Sequence, residues 1–129
     1  MIHTLEKFPG NVVAFLCTGR VTKRDYDVVL IPAVAAAFAR HRGIRLYYQT
    51  TDDFRMDSGA AWEDLKVGME YLTRWERIAI VTDVDWLRHA VRAFSFLLPG
   101  RIKLFPGTEA DEARQWITAS RETHADSAA

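Results

Sequence analysis

Four consecutive residues, Ile78-Ala79-Ile80-Val81, are apolar at every position. Side chains of a strand alternate between two faces, so a strand with no polar position must be covered on both. The run from Val12 to Cys17 (Val-Val-Ala-Phe-Leu-Cys) has the same character. Such strands do not suit a sheet with one wet face. They demand helices packed on either side, which is the arrangement of a mainly parallel α/β sheet.

The remaining segments supply those helices. Met1 to Phe8 reads as a short strand, and Pro9-Gly10-Asn11 is a turn that joins it to Val12–Cys17 as an antiparallel hairpin. Thr22-Lys23-Arg24-Asp25 has the form of a capping box. The helix it opens carries Tyr26, Val29, Leu30, Ala33, Ala37 and Phe38 at spacings of three and four, and Pro32 predicts a kink or a break into two helices. Ile44 to Gln49 is a third strand, followed by a polar, irregular stretch from Thr50 to Asp57.

Asp57 or Ser58 can cap the next helix, about Ala60 to Leu72. Its apolar stripe is Ala61, Leu65, Gly68 and Leu72, widened by Trp62 and Met69. After the 78–81 strand, Asp83 is expected to cap a helix bearing Trp86, Leu87, Ala90, Val91 and Phe94, which stops before Pro99-Gly100. Ile102, Leu104 and Phe105 mark a fifth strand. Thr108 to Asp111 repeats the capping-box form ahead of a helix with Ala113, Trp116 and Ile117. The order is β-β-α-β-α-β-α-β-α, with four main helices and an antiparallel N-terminal edge strand. It is expected as one domain over residues 1–120, with 121–129 a disordered polar tail.

Several function classes fall away on composition. Lys and Arg total 17, as do Asp and Glu, so the net charge is zero and the basic excess of a nucleic-acid binder is missing. Cys17 is the single cysteine, which excludes an intrachain disulfide. With neither a signal peptide nor an apolar run near the ~20 residues of a spanning helix, a cytoplasmic chain without an integral membrane segment is expected. His3, His41, His89 and His124 are scattered, so no metal site is expected. No phosphate-binding glycine loop or nucleophile elbow occurs, so no cofactor and no catalytic residue is assigned.

The motifs Gly19-x-Val21-Thr22-x-x-Asp25-Tyr26, then Pro32, then Trp62-Glu63-Asp64-x-Lys66-x-Gly68 resemble the SpoIIAA-like proteins of bacteria. So do Arg77-Ile78-Ala79-Ile80-Val81-x-Asp83-x-x-Trp86 and Ala113-Arg114-x-Trp116, extending the resemblance from about Leu5 to Trp116. The resemblance implies a SpoIIAA/STAS-like fold, related to the Sec14/CRAL-TRIO fold of lipid carriers, and no settled activity. Anti-sigma-factor antagonists of the wider STAS superfamily carry a phosphorylatable serine at a helix N-terminus, in an Asp-Ser-Ser-Gly-like motif. Asp57-Ser58-Gly59 puts Ser58 in the matching place without the doubled serine. Ser58 is expected to cap the helix, and phosphorylation of it is the alternative role.

In open parallel sheets, ligands collect beyond the carboxyl ends of the strands. That edge is expected to gather Thr51, Asp52, Phe54, Ser58, Trp62, Asp83 and Trp86, together with Thr18, Gly19 and Thr82. Glu63, Asp64 and Lys66 are read as a solvated helix face. The expected function is a non-catalytic binding or regulatory module for a protein partner or small ligand. The rival reading is a carrier or sensor of a lipid or other small apolar molecule. From Trp86 to Leu98 there are more apolar residues than one core stripe needs, which suits a gate, a homodimer surface or a deeply buried helix alike.

Overall fold

The computed structural model describes residues 1–120. In chain order its strands are β1 (Ile2–Thr4), β2 (Val12–Cys17), β3 (Arg20–Val21), β4 (Ile44–Thr50), β5 (Arg55–Met56), β6 (Trp75–Val81) and β7 (Ile102–Phe105). Five of them form one sheet in the order β1-β2-β4-β6-β7. β1 pairs antiparallel with β2, and the other neighbours are parallel. β6, which contains the all-apolar run, lies inside the sheet between β4 and β7, as its lack of a polar face requires. The expected 121–129 tail lies outside the described residues.

The helices are α1 (Lys23–Asp25), α2 (Ile31–Arg40), α3 (Ser58–Glu70), α4 (Asp85–Phe94) and α5 (Ala110–Thr118). No helix among the described residues is long and apolar enough to cross a membrane. The expected capping box is present, since the Asp25 amide donates to Thr22 Oγ1 at 3.2 Å and the Thr22 amide to Asp25 Oδ2 at 2.9 Å. Pro32 does not split this helix in two. Helical backbone continues through it: a π turn, Tyr26–Leu30, joins α1 to α2, and Pro32, which has no N–H to donate, sits just after this wider turn.

Among the described helices α5 covers one sheet face, packing Ala113 and Ile117 against Tyr47, Ala79, Val81 and Phe105, with Leu5 and Phe8 beside it. The first helix and the buried residues of α3 cover the other, over Phe15, Tyr48 and Ile80.

Three cap assignments differ from expectation. Asp57, not Ser58, caps α3, its Oδ1 accepting from the Ala60 amide at 2.8 Å. Asp57→Ala should therefore cost about 1 kcal/mol and Ser58→Ala under about 0.5 kcal/mol, as denaturant titration of both variants will read. Asp83 does not cap α4, which begins after Val84 without a side-chain cap; Asp83 Oδ1 accepts from the Gly107 amide at 3.1 Å instead. Thr108 does not cap α5 either. A 3₁₀ turn, Gly107–Glu109, leads into that helix. At α3 the neighbouring Asp57 takes the amide, and at α4 a tertiary partner, the Gly107 amide, takes the Asp83 carboxylate.

The stretch expected to be irregular holds β5, which pairs in parallel with β3 (Arg20↔Arg55, Val21↔Met56). This small second sheet ties the 51–57 loop to the segment after β2.

Candidate functional site: an apolar cavity with one acidic group

α3 and α4 bring apolar faces toward the sheet without closing on it. None of the α4 residues is buried. On α3 the expected stripe is also not packed away: Leu65 and Met69 are exposed, and a Cβ added at Gly68 would meet no atom within 4 Å. Between these helices and the sheet lies a cavity of about 430 Å³. Protein interiors are close-packed, and voids much larger than a water molecule are few. A space of this size lies in the range of small-molecule sites. Ala61, Leu65, Gly68 and Leu72 line it from α3 and its end, and Trp86, Leu87, Ala90, Val91 and Phe94 from α4. Leu46, Tyr48, Ile78, Ile80 and Ile102 form the sheet side.

Only a few polar groups interrupt this lining. Asp64 of α3 opens on the cavity, and its Oδ1 accepts from the Tyr26 hydroxyl at 2.7 Å. The Tyr26 and Tyr48 hydroxyls are 3.0 Å apart. Tyr26 is held there by the π turn, and Tyr48 by β4. Asp64 is exposed on the cavity side of α3, yet the apolar protein atoms around its carboxyl disfavour the charged form, and this desolvation, outweighing the Tyr26 hydrogen bond, raises its pKa above the ordinary carboxylate value. Burial likewise pushes both tyrosines well above their usual value. Cys17, next to Tyr48, is pushed up to about 12 by burial, so its thiol stays neutral and is a poor nucleophile. Trp75, also on the cavity wall, has a buried Nε1 without a hydrogen-bond partner among the described residues.

The SpoIIAA-like family model matches residues 12–118, from β2 to the last residue of α5. The chain belongs to the SpoIIAA-like family. A solved structure with a TM-score of 0.68 agrees on the fold: an uncharacterized protein of the DUF3478 family with a SpoIIAA-like fold from Shewanella loihica PV-4. It is 24% identical, and the alignment covers 91% of this chain and 92% of that one. No curated protein matches the chain significantly.

In this SpoIIAA-like domain the residues expected at the carboxyl edge have separate surroundings. Trp86 lines the cavity and stacks on the buried Phe54, with ring centroids 5.6 Å apart and planes at 15°. Thr51 donates to Asp53, which also accepts from the Gly19 amide at 3.2 Å. These two hydrogen bonds, from Thr51 and then Gly19, lower the pKa of Asp53 and fasten the loop. Asp52 is exposed, as is Ser58 at the start of α3. Gly59 has a structural reason, because a Cβ there would come within 3.1 Å of the Lys23 Cβ. Trp62 is 61% exposed and is not among the cavity residues, and Asp83 is engaged by Gly107.

The reading of Glu63, Asp64 and Lys66 as a solvated face holds for the exposed Lys66, is corrected for Glu63, and misses that the exposed Asp64 opens on the cavity. Glu63 is buried, with Lys66 Nζ 3.4 Å from its Oε1, and Asp64 turns into the cavity. A signal for Asp64 was present, since it sits three after Ala61 and four before Gly68, inside the apolar stripe. Tyr26, Tyr48 and Trp75 offered no such signal, because aromatic residues at these positions look like ordinary core.

Proposed function

We propose that this SpoIIAA-like domain is a binding module that takes up a small apolar molecule between α3, α4 and the sheet. The observation that carries the reading is the unfilled space itself: two helices with strongly apolar faces stand over a sheet face and leave about 430 Å³ between them. Apolar surface left uncovered costs roughly 25 cal/mol per Å² relative to burial. An occupant that fills the space recovers that free energy. Among the described residues the lining brings no paired nucleophile and base together, and the thiol of Cys17 is neutral, which supports uptake over chemistry. Trp86, backed by Phe54, is where the cavity meets the carboxyl edge of the sheet. A protein partner belongs to the same reading as donor or acceptor of the ligand. Exposed Trp62 and the 51–58 loop with Ser58 are the surface offered to it.

Protein purified from its host and measured by native mass spectrometry should carry a small molecule that leaves on denaturation, and the same spectrum reports the subunit count. In parallel, the neutral dye Nile red should brighten on titration, saturate at one site per chain and be displaced by 1-dodecanol. A bare protein that also leaves the dye dark would overturn the proposal.

A further inference from the structure

The acidic group in the cavity, Asp64, has no positive partner among the described residues. Among the described residues, no Lys, Arg or His lines the space. The nearby cations on the helices are already engaged, Lys66 with Glu63 at 3.4 Å and Lys23 with Asp27 at 2.6 Å. The first helix presents Tyr26 to Asp64 and β4 presents Tyr48, with the neutral Cys17 behind it; α4 presents only apolar side chains.

The direction of the hydrogen bonds matters as well. With the Tyr26 proton given to Asp64, the contact between the tyrosines is made by the Tyr48 proton, so the donors run toward the carboxylate. The cluster therefore ends in acceptor capacity on Asp64 that faces the void. An ionised carboxylate in apolar surroundings is costly unless a cation joins it. A second anion, such as a fatty-acid carboxylate or a phosphate, would add repulsion with nothing to offset it.

Resting on the reading of the cavity as an apolar-ligand site, we propose that its ligand class is cationic amphiphiles: an apolar chain ending in a protonated amine that pairs with Asp64. The chain fills the space along α3 and α4, and the ammonium donates to the carboxylate as a charge-assisted hydrogen bond, about twice as strong as a neutral one. An alcohol of equal length gains the same apolar burial without the ion pair.

The test displaces Nile red with dodecylamine, 1-dodecanol and dodecanoate, each below its micelle concentration, at about pH 7.5. Dodecylamine should bind at least ~10-fold more tightly than dodecanol, a difference of about 1.4 kcal/mol, and dodecanoate most weakly. In Asp64→Asn the amine should fall to the alcohol's level while the alcohol stays within ~2-fold. The unaltered protein supplies a second arm that needs no variant. As pH drops from about 7.5 to about 4.5, protonation of Asp64 should weaken the amine and leave dodecanol unchanged, because only the ionised carboxylate forms the pair. Amine and alcohol binding equally, or dodecanoate binding best, overturns the cation assignment and leaves the cavity reading standing. Failure of all three ligands, with the dye itself unbound, overturns both.

Discussion

Gly68→Leu should raise the stability of the domain and at the same time remove its capacity for apolar ligands. Gly68 lies inside α3, where glycine costs about 1 kcal/mol relative to alanine because it loses more backbone freedom on folding. A Cβ at this position meets nothing within 4 Å, so the new side chain enters open space without overpacking. That space is the cavity, and the leucine methyls would lie against a lining that is already apolar. Helix propensity and partial burial together should add about 1–2 kcal/mol, or roughly 5 °C in melting temperature. Nile red affinity should fall by at least ~10-fold, since the side chain occupies volume the ligand needs. Calorimetry and dye titration on the same preparation check both signs. Trp62→Ala is the matched control. It removes a large exposed side chain outside the cavity and should leave dye binding within about 2-fold. A destabilised Gly68→Leu protein, or one that still takes up dye, places the ligand elsewhere.

Arg45→Met should be the most destabilising of these substitutions, at about 3 kcal/mol and on the order of 10 °C in melting temperature. Arg45 on β4 is 6% exposed as a residue, yet carries a full charge. Its Nη1 donates to the carbonyls of Ile117, at 3.0 Å, and Ala119, and its Nε to Glu76 at 3.1 Å. Arg77, its register partner on β6, donates to the carbonyls of Trp116 at 2.7 Å and Ala119 at 3.2 Å. The last carbonyls of a helix have no partner within it and form the negative end of its dipole. Two guanidinium groups on adjacent strands thus fasten the end of α5, the helix that covers this sheet face among the described residues. Methionine keeps much of the stem's packing and removes the donors, so the Ile117 carbonyl and Glu76 lose their guanidinium. Arg45→Lys should recover only part of the loss, because an ammonium lacks the planar fork that reaches several acceptors. The cavity lies on the opposite face, and dye binding measured well below the melting transition should stay within about 2-fold of the unaltered protein. Loss of dye binding in a folded Arg45→Met protein would show that α5 and the cavity are coupled through the sheet.

Much of the architecture was legible because it rests on short-range chemistry. The alternation of apolar runs with helical stripes required a mainly parallel α/β sheet, and the 78–81 run was bound to lie inside it. The Thr22–Asp25 capping box and the antiparallel pairing of the N-terminal strand with β2 were legible from neighbours in the chain. Even so, β1 stops at Thr4 rather than Phe8, and the link to β2 spans residues 5–11 instead of a tight turn. What tertiary structure decided were the choices between groups of equal local merit. Asp57 and Ser58 are both good caps, and only the path of the chain aims one of them at the Ala60 amide. The β3–β5 pair joins segments separated by more than thirty residues, each too short to announce itself as a strand. Asp64 and the cavity are the plainest case. An apolar stripe on a helix says that water is unwelcome there, but it does not say whether protein fills the space opposite. That depends on how closely α3 and α4 approach the sheet. A carboxylate in such a stripe becomes meaningful only when the gap it faces is seen to be empty.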